Sequence, residues 1–262
     1  MVHKAFLEEL YAEYNRAQYA EQDPVRFPRM YEDAGEREVA GLIAALLAYG
    51  RLAQILASVA GALDRLERAP RRFILSSSPE QLRAACAGFV HRMVDGEQLG
   101  RLLFAVKGVL EAHGSLQACF LEHDEASERT ILPGLTGLAG ELAERARVPG
   151  HLLADPAKGS ACKRWNLYLR WMARNDGVDP GGWRGVSASR LIVPLDTHMW
   201  RVCRELGLTR RKVCNLRAAL DITDSFRRIA PADPVRYDFA LMHASLAGRL
   251  DGRALADGRG AS

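Results

Sequence analysis

The chain offers little that would hold a metal or cross a membrane. Its five cysteines, Cys86, Cys119, Cys162, Cys203 and Cys214, are odd in number and widely scattered, with no C-x-x-C pair and no close His-Cys grouping of the kind that marks a zinc site. That argues against a zinc ribbon or an iron–sulfur cluster and for buried, reduced thiols. The seven histidines show no H-E-x-x-H or similar spacing, so no metal and no cofactor is expected. Long apolar runs are missing too. The best candidate for a membrane span, VAGLIAALLA (residues 39–48), is too short. The opening MVHKAFLEELYAEY is charged through its first turns and lacks a signal peptide's apolar centre, which points to the cytoplasm. Charge of one sign is scarce: the net +4 only permits a polyanionic partner. Locally, RELGLTRRKVCNLR (204–217) and KGSACKRWNLYLRWMAR (158–174) are basic and LEHDEASE (121–128) is acidic, patterns that a solvated face also explains.

Strand signals are nearly absent as well. RLIVPL (190–195) is the only short β-branched run, and Pro194 argues against a central strand there. What is present is helical period. Val39, Leu42, Ile43, Leu46 and Leu47 recur at three and four residues, and Ile55, Leu56, Val59 and Leu63 repeat the pattern within 52–66. Ser78 and Pro79 open a helix, and the stripe Leu99, Leu102, Leu103, Val106 and Val109 ends at Gly114. Further helices are predicted at 134–147, 160–174, 196–206, 209–220, 221–229 and 234–247. NDGVDPGGWRGVSAS (175–189) reads as the clearest loop, and 251–262 as a disordered tail. The fold class is all-α.

Two segments flank that loop. KRWNLYLRWMAR starts a helix at Lys163, and VPLDTHMWRVCREL starts another behind Asp196, whose carboxylate suits the free amides and the positive end of the helix. A lysine at one helix start and an aspartate at another can face each other across a cleft. Capping alone is the plain reading of Asp196, and a solvated side chain that of Lys163. Lys158 competes with Lys163 in the same segment.

LDTHMWRV (195–202) resembles the V-D-T-H-x-x-R-V segment of the helix–hairpin–helix DNA glycosylases, the endonuclease III superfamily; Asp196, Thr197, His198, Arg201 and Val202 match in turn. The resemblance implies a two-lobed fold, with a central helical domain over 35–190 and a second lobe made of 1–34 plus 191–250. It implies a catalytic aspartate at Asp196 and, in the bifunctional members, a Schiff-base lysine, for which Lys163 has the placement. The spacing between the two is closer to the archaeal 8-oxoguanine glycosylase branch, and RWNLYLRWM, IVPLDTH and YDFAL also resemble a related family of uncharacterised bacterial and archaeal proteins. Two departures stand out. DPAKGSACKRW has one glycine, Gly159, where most of the superfamily has a glycine-rich hairpin, and the four-cysteine cluster motif is missing.

The implied activity is bifunctional excision of an oxidised purine, 8-oxoguanine first, from double-stranded DNA by a monomer. A carboxylate would stabilise the charge that develops on the sugar, and a lysine amine made neutral by burial and by Arg164 or Arg170 would attack it. Base extrusion calls for apolar and aromatic walls, and all four tryptophans, Trp165, Trp171, Trp183 and Trp200, fall within 165–200 beside Tyr168. Candidate substrate or DNA contacts are Trp165, Tyr168, Arg170, His198, Trp200, Arg201, Asp238 in the position of a lesion-contacting acid, and Arg51 near a wedge position; only one or two of the tryptophans are expected to face the pocket. His91 and Arg92 suit a phosphate contact or a helix-end cap. The alternatives are a glycosylase for another lesion, or a DNA-binding protein of this fold without excision activity.

Overall fold

The computed structural model describes residues 3–250; the tail expected at 251–262 lies outside the described residues. The chain is mostly helical, as its periodicity predicts. Its helices are α1 (Lys4–Tyr14), α2 (Ala17–Ala20), α3 (Arg26–Arg29), α4 (Ala34–Leu46), α5 (Leu52–Arg65), α6 (Pro70–Ser76) and α7 (Pro79–Ala85). After a hairpin of β1 (Val90–His91) and β2 (Val94–Asp95) come α8 (Gly96–His113), α9 (Leu116–His123), α10 (Leu132–Ala146), α11 (Lys163–Ala173), α12 (Thr197–Glu205), α13 (Leu216–Arg227) and α14 (Asp238–Leu246). None of the described helices is long and apolar enough to cross a membrane.

Local chemistry sets most helix starts. Asp33, Ser78, Asp95, Ser115, Asp196 and Asn215 each accept a hydrogen bond from a first-turn amide. Ser78 and Gln81 complete a reciprocal capping box behind Pro79. Gly114 ends α8 in the left-handed conformation, at φ +81°. The apolar stripes then bury: Val39, Leu42, Ile43 and Leu46 of α4 and Ile55, Val59 and Leu63 of α5 belong to a single cluster of buried side chains that runs from Leu7 to Leu250.

Two expectations are corrected. The helices predicted at 209–220 and 221–229 are one helix, α13. Residues 207–215 form no helix because Thr209 Oγ1 donates to Asp221 and accepts from the Arg211 amide, and Asn215 is the cap. Residues 90–95 pair as an antiparallel hairpin, Val90 opposite Asp95, with Arg92 left-handed at the turn (φ +54°). His91 is therefore neither a helix-end cap nor a phosphate contact: it is buried, with its ring between Ser58 Oγ (2.9 Å) and the Tyr49 carbonyl (3.2 Å). RLIVPL forms no strand, in keeping with Pro194. Leu191, Ile192, Val193 and Leu195 cross the core in extended form, where the Val193 amide bonds Thr223 Oγ1 at 3.0 Å.

The loop 175–189 folds back on the end of α11. The Gly181 amide reaches the Trp171 carbonyl and the Trp183 amide the Met172 carbonyl, both at 3.0 Å. Two buried arginines of α11 hold it. Arg170 binds Asp179 (3.2 Å) and Asp238 at the start of α14 (2.5 Å). Arg174 binds Asp179, Asp176 (2.7 Å) and Asp233 (3.0 Å), and Tyr11 of α1 donates to Asp176. Removing one partner of such a network leaves a buried charge uncompensated. Asp179→Asn is accordingly expected to lower unfolding stability by about 3 kcal/mol, read as a drop in the urea midpoint with an unchanged slope.

Candidate active site

The stretch before α11 makes a tight hairpin. Asp155 Oδ1 accepts the Ala157 amide (2.9 Å) to cap a single 3-10 turn over Pro156–Lys158. Gly159 is left-handed at φ +77°, and its carbonyl accepts the Leu216 amide of α13 at 3.0 Å. Cys162 is also left-handed (φ +47°), an unfavourable conformation for a residue with a side chain. That turn aims the first residue of α11, Lys163, across the gap to α12. Lys158, its rival, is on the exposed outer side of the hairpin, 4.0 Å from Asp155.

Asp196 does two things at once. Oδ1 accepts the Met199 amide at 2.9 Å, which caps α12, and Oδ2 accepts from Lys163 Nζ at 2.6 Å. Both side chains remain about a third exposed, at 31% and 36%. Burial pulls the Asp196 carboxyl upward, but the Lys163 ammonium and the Met199 amide outweigh it and hold the group below the usual carboxylate range.

This pair adjoins two hollows. The outer one is an open cleft of about 520 Å³, lined by Tyr49, Gly50, Ser160, Arg164, Asp196 and Thr197 among others. The inner one, about 160 Å³, is chiefly apolar, walled by Leu167, Pro194, Met199 and Met242, with Asp23, Arg170, Asp238 and His243 as its polar groups. Lys163 lines both.

The other expected residues divide. Trp165 is buried against the outer cleft and donates to the Ala154 carbonyl at 3.0 Å. Tyr168 lines neither hollow: it is fully buried, edge-on to Trp165 and Trp183. Its expected contact with substrate gives way to a core role because it lies on the face of α11 that packs against Gly41 of α4. Trp200 lines neither hollow either and stacks under Arg204, 5.0 Å from its ring centre. Arg170 and Asp238 reach the inner cavity, but bonded to each other, so Arg170 is not available to a phosphate. Arg164 turns to the Leu46 and His151 carbonyls and lies over Tyr49. His198 is exposed at the start of α12, 3.0 Å from Ser245 Oγ. Arg201 is exposed on the outer face of that helix, and Arg51 is exposed beside Gly50 at the cleft rim. The loop 175–189 contributes no residue to either hollow.

Sequence reasoning missed Asp23 and His243. Asp23 is buried, accepts the Val25 amide at 2.9 Å, and has its carboxyl pushed up by burial. His243 packs on Phe239 and Tyr19, and its buried Nε2 has no partner among the described residues. His243 stands five residues after Asp238, in the last turn of the helix that Asp238 opens, a spacing that gave no signal.

The hairpin, the paired helix starts and, Gln22 apart, the lining of both hollows lie within residues 23–247, the stretch matched by the family described as "Protein of unknown function (DUF2400)". The chain belongs to that family. No curated protein and no solved structure matches it.

Titration near the inner cavity gives a test of its polarity. Burial, with the Arg170 charge, pushes the His243 imidazole down to about 4, against 6.5 for the free group. The folded chain thus keeps it neutral where the unfolded chain binds a proton, and stability falls as pH drops from 6.5 toward 4. Asp238 has the opposite sign. Burial pushes it up to about 6 despite Arg170, so below that pH the folded state gains the proton first. Urea midpoints across this window should decline less in His243→Phe than in the parent, and more steeply in Asp238→Asn.

Proposed function

We propose that the chain is a bifunctional DNA glycosylase and AP lyase on the two-lobed helix–hairpin–helix plan, excising an oxidised purine, 8-oxoguanine first, from duplex DNA. The observation that carries the reading is the position of Lys163. Its amine is 2.6 Å from Asp196 and borders both the open outer cleft and the small apolar cavity. An N-glycosidic bond joins a flat apolar base to a polar sugar–phosphate. A flipped nucleotide with its base inside and its backbone outside therefore has C1′ at the junction, beside that amine. Apolar cavities of about 150 Å³ accept a benzene-sized ring, and the inner cavity shares Ala48, Ile55 and Lys163 with the cleft, so a base in one would have its sugar in the other.

The residues supply the steps. Asp196 takes a proton from the Lys163 ammonium, the neutral amine attacks C1′ as the bond to the base breaks, and Asp196 hands that proton to the departing base. Ionised again, the carboxylate faces the positive charge left on the amine adduct of the sugar. Opening of the sugar ring gives an iminium on Lys163, and loss of a C2′ proton expels the 3′ phosphate. Asp23, Asp238 and His243 present the polar edge that would read the base, between the walls of Leu167, Pro194 and Met199.

Contact with a duplex is supported at the rim. Arg51 is exposed next to Gly50, and the neighbouring hairpin carries Val90 and Met93, 67% and 61% exposed. Apolar side chains of this kind wedge between base steps where a protein opens a duplex. The alternative of DNA binding without excision has one observation in its favour: the hairpin keeps Gly159 but holds a second left-handed position with Cys162, unlike a glycine-rich phosphate grip.

Borohydride trapping on a duplex with one 8-oxoguanine tests the proposal. The parent should form a covalent adduct, Lys163→Gln none, and Asp196→Asn at least about a hundredfold less, the scale of losing a transition-state charge partner. Trapping on another lesion alone would move the substrate and keep the mechanism. Salt-sensitive duplex binding with no adduct on any lesion or abasic site would leave a DNA-binding protein.

A further inference from the structure

Away from the cleft, three helices bring together side chains that the sequence leaves apart. His113 closes α8, Cys119 and His123 lie one turn apart on α9, and Glu141 lies on α10. The donor atoms of His113, Cys119 and Glu141 lie within 4.8 Å of one another. Glu141 Oε1 is 3.3 Å from His113 Nε2 and 3.4 Å from His123 Nε2. Both separations are long for charge-assisted hydrogen bonds, which run about 2.7–2.9 Å. They match the edge of a tetrahedral zinc site, where bonds of about 2.0–2.1 Å set neighbouring nitrogen and oxygen donors roughly 3.4 Å apart.

The surroundings are those of a ligand set. His113 Nδ1 lies 2.9 Å from Glu122 Oε2; donating its proton there leaves the Nε2 lone pair facing Glu141 and Cys119. Arg145 Nη1 holds the other oxygen of Glu141 at 2.5 Å, so Oε1 alone faces the histidines. The His123 ring lies so close over the backbone of α10 that a Cβ at Gly137 would collide with it. Cys119 is fully buried, whereas His123 and Glu141 border a groove open to solvent that gives an ion its approach.

We propose that His113, Cys119 and Glu141, whose donor atoms cluster, hold a structural zinc ion that clamps the ends of α8, α9 and α10, with His123, 3.4 Å from Glu141 Oε1, turning in as the fourth ligand. One thiolate and one carboxylate balance the charge of the ion, and Glu122 and Arg145 balance each other. Zinc binding displaces the thiol proton of Cys119 and so weakens as pH falls. Cys-x₃-His on a helix was the visible half of the motif. The reading of the sequence as metal-free took spacing along the chain as its measure, and the other two ligands come from helices before and after.

The test is metal content and cobalt spectroscopy on the full chain. Expected are one zinc per chain retained through dialysis, and a tetrahedral cobalt(II) spectrum with a thiolate charge-transfer band. Cys119→Ser should lose that band. Glu122→Gln, a half-exposed position whose change does not threaten folding, should weaken zinc binding by about tenfold or more through His113. Lys163→Gln should bind as the parent does, which separates this site from the cleft. Absence of stoichiometric zinc, or a thiolate band that persists in Cys119→Ser, would overturn the proposal.

Discussion

Two buried guanidinium groups on one helix hold the rest of the structure in register. Arg170 and Arg174 would each be costly to bury alone, and they are tolerated because four aspartates converge on them from the following loop, the turn at Asp233 and the first turn of α14. The same contacts fix where α11 begins. With its last turn tied to α14 and to the loop, the first residue of that helix has little freedom, and Lys163 meets Asp196 as a consequence. A network of this kind adds little to net stability compared with an apolar core, but it selects one arrangement of the helices.

Asp196 shows how a capping residue can keep one oxygen for a second partner. One oxygen belongs to the helix and the other to the lysine. The amide bond orients the carboxylate, and the positive end of α12 favours its ionised form. In the resting arrangement the Lys163 ammonium holds Asp196 in its ionised form. In the proposed reaction an arriving sugar with developing positive charge would compete with that ammonium for Asp196.

The helices were largely legible because capping residues and apolar stripes are local signals: Ser78-Pro79, Asp95, and the stripes of α4, α5 and α8 needed no knowledge of the fold. The Lys163–Asp196 pair was legible through its motif. The failures have a common cause. Helix 209–220 was misjudged because Thr209 finds Asp221 through its side chain, and hairpin 90–95 because a two-residue strand carries no periodic signal. Tyr168 and Arg170 sit at helical spacings that say which residues share a face, but not which face meets the core. Asp23 and His243 belong to segments more than two hundred residues apart, and only tertiary packing brings them to one cavity.

The buried side chains form one cluster from the first helix to the last described residue. They enclose the ion pairs of Arg170 and Arg174, and the segment 191–195 passes through the interior between the loop after α11 and the start of α12. Where the opening keeps this width, a polymer that is to reach Lys163 has to deform to fit. For a stiff double helix that means bending and local unstacking, and sequences already weakened by damage or mispairing yield most readily. Discrimination would then begin in the mechanics of the ligand, before any atom of the inner cavity is touched.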